Sequence, residues 1–355
     1  DYNMAKKSLV ALVKGTDIQE NVTKVFDLMG GVENVIRKGS TVVLKPNAGH
    51  AEPPETSVCT NPEVVRAVIR EVKKANPKRI IVAEAAAIGC DTEECFRVSG
   101  IAAVAEEEGV ELKDIKRDKD LVNVAVRGYS SNIDHVLLPK FLMEADHLIN
   151  LPILKAHASM VFSGALKNIK GVVQDKVHMQ MHQQNLTMAM MDVWSACRAD
   201  INIMDAMRAA SGYSPHMPVP IETNMILGSK DPVAIDRVAC EVTGIDTSCV
   251  DYFKVAKETG LGNYDLEDIE VVGNTIEESY KKMWIPYIGD MSTRWPEYDV
   301  KCEGACSSCQ ALLAINMEEL KAVNEYDKNA GMTVVIGGKN EIPKDIPDEK
   351  IVLHG

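Results

Sequence analysis

The chain alternates between short apolar runs and longer segments whose apolar positions recur every three or four residues. Thr41-Val42-Val43-Leu44 is an apolar run that ends at Lys45-Pro46-Asn47, which predicts a strand buried on both faces. Val64, Val65, Val68, Ile69 and Val72 then share one side of a helical wheel, with Arg66, Arg70 and Lys73 on the other, which predicts an amphipathic helix. Its start is read at Thr60-Asn61-Pro62-Glu63, with Pro in the first turn and Thr-x-x-Glu as a capping box. Further strands are predicted over 79–84, 146–154 and 200–205. At Ser229-Lys230-Asp231-Pro232 a strand turns into a helix with Asp231 as N-cap, and Ser248-x-x-Asp251 is read as the cap of another helix that Gly260 ends.

Strands separated by helices of this length predict parallel βαβ units. The expected fold is α/β, a doubly wound, mainly parallel sheet with helices on both faces. Ligands of such sheets gather at the carboxyl ends of the strands. Near residue 280 the pattern stops. Tyr280, Trp284, Tyr287, Trp295 and Tyr298 follow without periodicity and predict an ordered loop or lid. A cysteine cluster, a helix from about 311 to 324 and a strand at 333–336 come next. The expected organisation is an α/β core over 4–280, as one body or as two lobes of about 4–150 and 151–280, and a cysteine-containing extension over 281–355.

Charge narrows the partners. Lys and Arg number 39 against 52 Asp and Glu, a net charge of −13. An acidic surface repels phosphate backbones and anionic lipids, so neither nucleic acid nor membrane is expected as a partner. No apolar stretch approaches the roughly 18 residues that cross a bilayer. The first residues carry no apolar leader, which points to the cytoplasm.

Nine scattered cysteines make a poor disulfide framework. Three of them crowd together as Cys302-Glu303-Gly304-Ala305-Cys306-Ser307-Ser308-Cys309. Thiolates at this spacing can converge on one cluster, and the small residues between them leave room for sulfide, which predicts a [4Fe-4S] centre. Zinc competes, but structural zinc usually takes two separated ligand pairs and no second pair is present. The fourth ligand is not local: Cys59 and Cys90 are candidates, and an open iron is the alternative. The spacing is shared with radical S-adenosylmethionine enzymes, which place it after an early barrel strand with an aromatic before the last Cys. Here Ser308 holds that place.

A second constellation runs from Lys155 to His182. A buried strand delivers Lys155 and His157 at its end, Ser163-Gly164 permits close backbone approach, and Lys167, Asn168 and Lys170 follow. His178 and His182 are four apart, on one face of any helix there. Lys155, Lys167 and Lys170 with the three histidines, in so acidic a chain, make a local cationic pocket, suited to a small carboxylate or phosphate. Lys45, Asn47 and Asp205, each at a strand end, are further candidates for substrate binding, with turn chemistry the alternative for Asn47.

The motifs LKPN at 44–47, TNPEVVRAVI at 60–69, NLPILKAH at 150–157, SGALKNIKGVV at 163–173 and GSKDPVAIDRVAC at 228–240 closely resemble the domain-of-unknown-function 362 family over roughly residues 8–275. Members often carry iron–sulfur centres and cysteine-rich C-terminal segments, so the resemblance implies a cluster. This chain lacks the complete ferredoxin-like repeat, having three clustered cysteines and no Cys-Pro. A fainter similarity runs to the lactate racemase family. It implies His157 as proton-transfer base, Lys167 as tether of a nickel-pincer nucleotide and His182 as nickel ligand. The second glycine of that family's Ser-Gly-Gly-x-Lys stretch is missing here.

Three functions are expected from these readings. The first is an iron–sulfur oxidoreductase or cluster-assisted lyase of anaerobic-type metabolism acting on a small anion. Its cluster would sit on Cys302, Cys306, Cys309 and Cys59. Lys155, Lys167 and Lys170 would hold the anion, and His157 with His178 or His182 would move protons. The second is a nickel-dependent isomerase. The third is a non-enzymatic electron carrier with a redox partner protein. No G-x-G-x-x-G follows a strand, so no dinucleotide site of that type is expected.

Overall fold

The computed structural model describes residues 7–129, 133–183, 185–285, 291–303, 305, 307–337 and 341–354. The chain divides into two units. The first is Asp1–Lys155, Phe162–Ala210 and Pro220–Met283, and the second is Ala156–Val161, Ser211–Val219 and Trp284–Gly355.

Strands β1 (Ser8–Lys14), β2 (Thr41–Pro46), β3 (Arg79–Glu84) and β4 (Glu111–Asp114) open the main sheet. After them, β5 (Leu121–Ala125) and β6 (His135–Pro139) form a separate antiparallel ribbon. The main sheet is completed by β7 (His147–Leu151), β8 (Ile153–His157), β9 (Val161–Ser163), β10 (Ile201–Tyr213), β11 (Met217–Ser229) and β12 (Ile269–Gly273). Its order is β12-β1-β11-β10-β7-β2-β3-β4, with β8 pairing beside β10. From β10 to β4 every pairing is parallel, whereas β1 runs antiparallel to β11. The fold is thus mixed α/β around a large, mainly parallel sheet. β7 lies in the middle of that sheet.

The strands read as unbroken apolar runs because both faces are covered. Ala11, Val13, Val42, Leu44, Ile149 and Ile203 join a core with α1 (Ile18–Leu28), α2 (Pro62–Lys74), α3 (Thr92–Val98) and α4 (Ile101–Glu107). Their neighbours along the strands, Val10, Leu12, Val43 and Ile81, are equally buried. A short α5 (Lys140–Met143) leads into β7. Next come α6 (Ala165–Asn168), α7 (Asp175–His182), α8 (Leu186–Ala196), α9 (Pro232–Thr243), α10 (Asp251–Thr259) and α11 (Ile276–Ser279). Among these, α6 packs on β7 and α9, and α8 packs on α10.

Several local expectations are corrected. The N-cap of α2 is Asn61, whose side chain accepts from Glu63 N, rather than Thr60. Thr60 is buried, donates its hydroxyl to Leu151 O and accepts from Asn47 N. Ser248 does not cap α10, because Asp246 caps the turn before it. Asp231 does cap α9, accepting from Val233 N and Ala234 N, and Gly260 does end α10. The run over 146–154 is two strands, broken at Pro152, because proline offers no N–H to the ladder.

The second unit holds β13 (Asp299–Lys301), β14 (Thr333–Ile336) and β15 (Ile351–His354) as a parallel sheet, with α12 (Ser307–Ala322). Trp295 and Tyr298 are buried in this unit's own core beside Ala314, Met317 and Ile336. Tyr213 meets Trp284 edge to face, with ring centres 5.3 Å apart. Tyr287 lies outside the described residues; beyond it Trp295 and Tyr298 contribute core, whereas Tyr280 and Trp284 before it are exposed.

Candidate functional site

The site of the first unit is built at the carboxyl ends of β2, β3 and β7. In-register residues of neighbouring strands project to the same face, and the register pairs Lys45 with Asn150 and Asn150 with Asn202. Three polar residues therefore stand abreast on the face that α6 covers. Asn150 donates to Asn202 Oδ1 at 2.9 Å and to Ala165 O at 3.1 Å. Asn202 passes the chain on to Ser229 O at 3.2 Å.

The chain extends in the other direction through α6. Asn168 donates to Asn150 Oδ1 at 2.8 Å, Asn47 donates to Asn168 Oδ1 at 3.0 Å, and Lys155 Nζ donates to Asn47 Oδ1 at 3.3 Å. Every side-chain amide in the row points its oxygen toward the Lys155 end. Hydrogen bonds aligned in this way polarise one another, and the negative end of the row faces an ammonium. Lys155 also donates to Val58 O at 2.7 Å. Burial nevertheless pushes its pKa down to about 8.

Lys45 is not a free substrate ligand. It is fully buried and paired with Glu84, Nζ to Oε2 2.9 Å. Burial pushes Lys45 down and Glu84 up. The ions are held by further bonds: Lys45 donates to Pro46 O, and Glu84 accepts from Ala48 N and Ala85 N. Gly171 lies against this pair so closely that any Cβ would overlap Glu84 Oε1 and crowd Lys45 Nζ. Gly164 is required in the same way by Asp236, which accepts from Ala165 N at 2.6 Å and Leu166 N at 2.9 Å at the start of α6.

Two further lysines follow on α6 and the turn after it. Lys170 Nζ stands 3.1 Å from His182 Nε2, and burial lowers the lysine to about 8. Lys167 has no hydrogen-bond or carboxylate partner among the described residues. Its pKa is driven well down, first by burial and then by Lys170, Lys155 and Lys45. The histidines share α7, as their spacing predicts, but both turn to Lys170. His178 Nε2 donates to the Lys170 carbonyl, and the ring's pKa is pushed down to about 4 by burial and then by the Lys170 charge. His182 is likewise pushed to about 4, by desolvation, Lys170 and Lys167. Both rings are neutral at pH 7, and no group of three or more metal-type ligands occurs among the described residues.

Other predicted residues take separate places. Asp205 accepts from Asn61 N at 2.8 Å and Met207 N at 3.0 Å. His157 belongs to the second unit, where its Nδ1 accepts from Ser159 N and Met160 N and closes a turn. Cys59 belongs to the first unit; it is buried, and its thiol donates to His50 O. Burial raises the Cys59 pKa. Cys302 follows β13 and Cys309 lies in the first turn of α12, both half-buried. Cys306 lies outside the described residues.

Glu84, Asn150, Asn202 and Gly171 are structural partners that motif reading passed over. A carboxylate closing the buried run Arg79–Glu84, and an asparagine inside the apolar run of β7, are the signals that mark two of them.

The profile of the family described as Domain of unknown function (DUF362) matches residues 42–241. A thylakoid-associated protein of Synechocystis is 28% identical over 248 residues, 67% of this chain and 73% of its own length. Among solved structures, a Thermotoga maritima protein aligns with a TM-score of 0.43 at 16% identity, covering 65% of this chain and 60% of that one. The lactate racemase apoprotein of Thermoanaerobacterium thermosaccharolyticum aligns with a TM-score of 0.39 at 15% identity, covering 68% and 58%. The chain spans less than two thirds of either solved structure. No helix among the described residues is long and apolar enough to cross a membrane.

Proposed function

Taking as premise that the chain belongs to the DUF362 family, we propose that it is an enzyme acting on a small anion, held by Lys155, Lys167 and Lys170. One imbalance carries this reading: of four lysines at the strand ends, on α6 and on the turn after it, only Lys45 meets a carboxylate among the described residues. Lys155 meets neutral oxygens and Lys170 a neutral imidazole. A bound carboxylate or phosphate would supply the missing negative charge and raise the lysines' pKa values. Burial lowers the pKa of Lys167 well below its ordinary value, which favours the free amine and suits a base or a nucleophile. His182, neutral beside Lys170, can accept a proton. Lactate, pyruvate and inorganic phosphate serve as probes in titration calorimetry on the whole chain. Binding of at least one, weakened tenfold or more in Lys167→Met, is the expected result; no binding of any of the three overturns the reading.

An iron–sulfur centre in the second unit is the finer part of the proposal. An iron–sulfur cluster on Cys302, Cys306 and Cys309 would supply electron transfer or Lewis acidity. The reading is supported by the placing of Cys302 at a strand's carboxyl end and of Cys309 at a helix start, both half-buried. Metal and acid-labile sulfide analysis on anaerobically purified protein tests it. About four irons per chain, lost in Cys302→Ser and Cys309→Ser, is the expected outcome. Nickel, with a mass adduct on the Lys167 peptide, would favour the lysine-tethered nucleotide and an isomerase instead.

A further inference from the structure

The backbone on the amino side of Lys167 is fixed from three directions. Ala165 N and Leu166 N donate to Asp236, Asn150 donates to Ala165 O, and Trp194 Nε1 donates to Leu166 O at 2.9 Å. The Lys167 side chain carried by this held turn is left without a hydrogen-bond or carboxylate partner among the described residues. Lysines drawn out of water are usually paired. The amine is nonetheless not sealed in. Buried side-chain atoms without a partner among the described residues include Ser40 Oγ and Ser57 Oγ, but not Lys167 Nζ. Lys167 and Lys170 are half-buried and His182 is exposed, so a small molecule can reach all three.

The three groups share one space. Lys170 Nζ stands 3.1 Å from His182 Nε2, and after burial it is the charges of Lys170 and Lys167 that lower the histidine. Lys167 precedes Lys170 by three positions, which puts both on one side of a helical turn. Their chemical parts differ. Lys170, with a pKa of about 8, is mainly protonated at pH 7 and faces a neutral ring rather than a carboxylate. It is a cation ready for an anion. Lys167 is an amine beside a second cation, the setting in which a lysine attacks carbonyl carbon. A short molecule with a carbonyl next to a carboxylate answers both groups at once.

Building on the anion-site reading, on which it rests, we propose that Lys167 captures a short 2-oxo acid as an imine while Lys170 holds its carboxylate. The Lys167 nitrogen forms the bond to the carbonyl carbon as the carbon–oxygen π pair moves to oxygen. The two protons of the amine end on that oxygen, which leaves as water, so neither oxidant nor reductant is consumed. The probe is pyruvate, added to the whole chain at pH 7 with sodium cyanoborohydride, which reduces the imine to a stable amine. Lactate, which has no carbonyl to attack, is the reference. The expected result by peptide mass mapping is a reduced adduct on Lys167 that needs both pyruvate and reductant. It is absent with lactate, absent from Lys176, which is exposed on α7, and formed severalfold more slowly in Lys170→Gln. Mapping on the native chain keeps the test decisive if a variant does not fold. No adduct, or an adduct spread equally over Lys176 and Lys167, overturns the proposal, and an unchanged rate in folded Lys170→Gln overturns the carboxylate contact and the choice of a 2-oxo acid with it. Calorimetry separates the two failures. Pyruvate that binds without forming an adduct sinks the imine and leaves the anion site standing, whereas no binding of pyruvate, lactate or phosphate sinks both.

Discussion

Lys155 and the carbonyl of Ser229 are the two ends of one hydrogen-bonded row, linked through Asn47, Asn168, Asn150 and Asn202. All four amides are oriented alike, so removing one strands a buried donor on one side and a buried acceptor on the other. Asn150→Ala is expected to destabilise the chain by about 2–4 kcal/mol in urea unfolding, more than one neutral hydrogen bond contributes. The row also predicts coupling between residues that do not touch. In a double-mutant cycle, Asn47→Ala and Asn202→Ala should deviate from additivity by at least ~0.5 kcal/mol. Strict additivity would reduce the row to separate bonds.

Lys167 is held where its charged form is disfavoured, with no carboxylate to offset the cost. Its folded pKa lies well below its ordinary value, so keeping its charge in the folded chain costs free energy at every pH below that ordinary value, and the lysine works against stability. Lys167→Met should therefore raise stability by about 1 kcal/mol, a rise of roughly 2–4 °C in Tm, while anion binding is lost. Stability gained at the expense of binding is the mark of a functional residue. A lower Tm with binding intact would make Lys167 an ordinary structural side chain.

Gly171 faces the Lys45–Glu84 pair with no space for a methyl group. Gly171→Ala must push the carboxylate away from the ammonium, leaving buried charge uncompensated. The expected loss is about 3–5 kcal/mol, similar to that of Glu84→Gln. If the pair is what Gly171 accommodates, the two losses overlap, and the double variant falls well short of their sum. A full sum would mean that Gly171 acts through the backbone alone.

The sheet was legible because strands covered on both faces leave unbroken apolar runs, and α2 because its face recurs at helical spacing. Asp231 was readable for a local reason, since a cap, a proline and the helix it starts are neighbours in sequence. Asn150 and Asn202 were not, although each sits in a recognised strand. Their partnership depends on register, and register brings together residues 52 positions apart. Glu84 escaped for the same reason, because its partner Lys45 lies 39 residues away. The spacing of His178 and His182 gave the right helix and face, but Lys170, to which both rings turn, lies on a preceding turn that helical spacing cannot locate.

His178 gives the site a pH signature of definite sign. Its folded pKa is about 4 against an ordinary 6.5. As pH falls below 6.5 the unfolded chain takes up this proton first, so the stability this group permits is full above 6.5 and is lost progressively toward 4. Two buried carboxyls oppose the trend. Asp205 and Asp236 are raised by burial to about 6 and about 8, so their contributions are full at low pH and decline as pH rises through those values. The native chain alone therefore mixes both signs, and the informative quantity is a difference. His178→Gln retains a donor for the Lys170 carbonyl but cannot titrate. Relative to the native chain, it should gain on the order of 2 kcal/mol on going from pH 7 to pH 4.5, measured by urea unfolding at each pH. An equal difference at the two pH values would mean that His178 is solvated enough in the folded chain to titrate normally, and the neutral-imidazole picture of the site would fall with it.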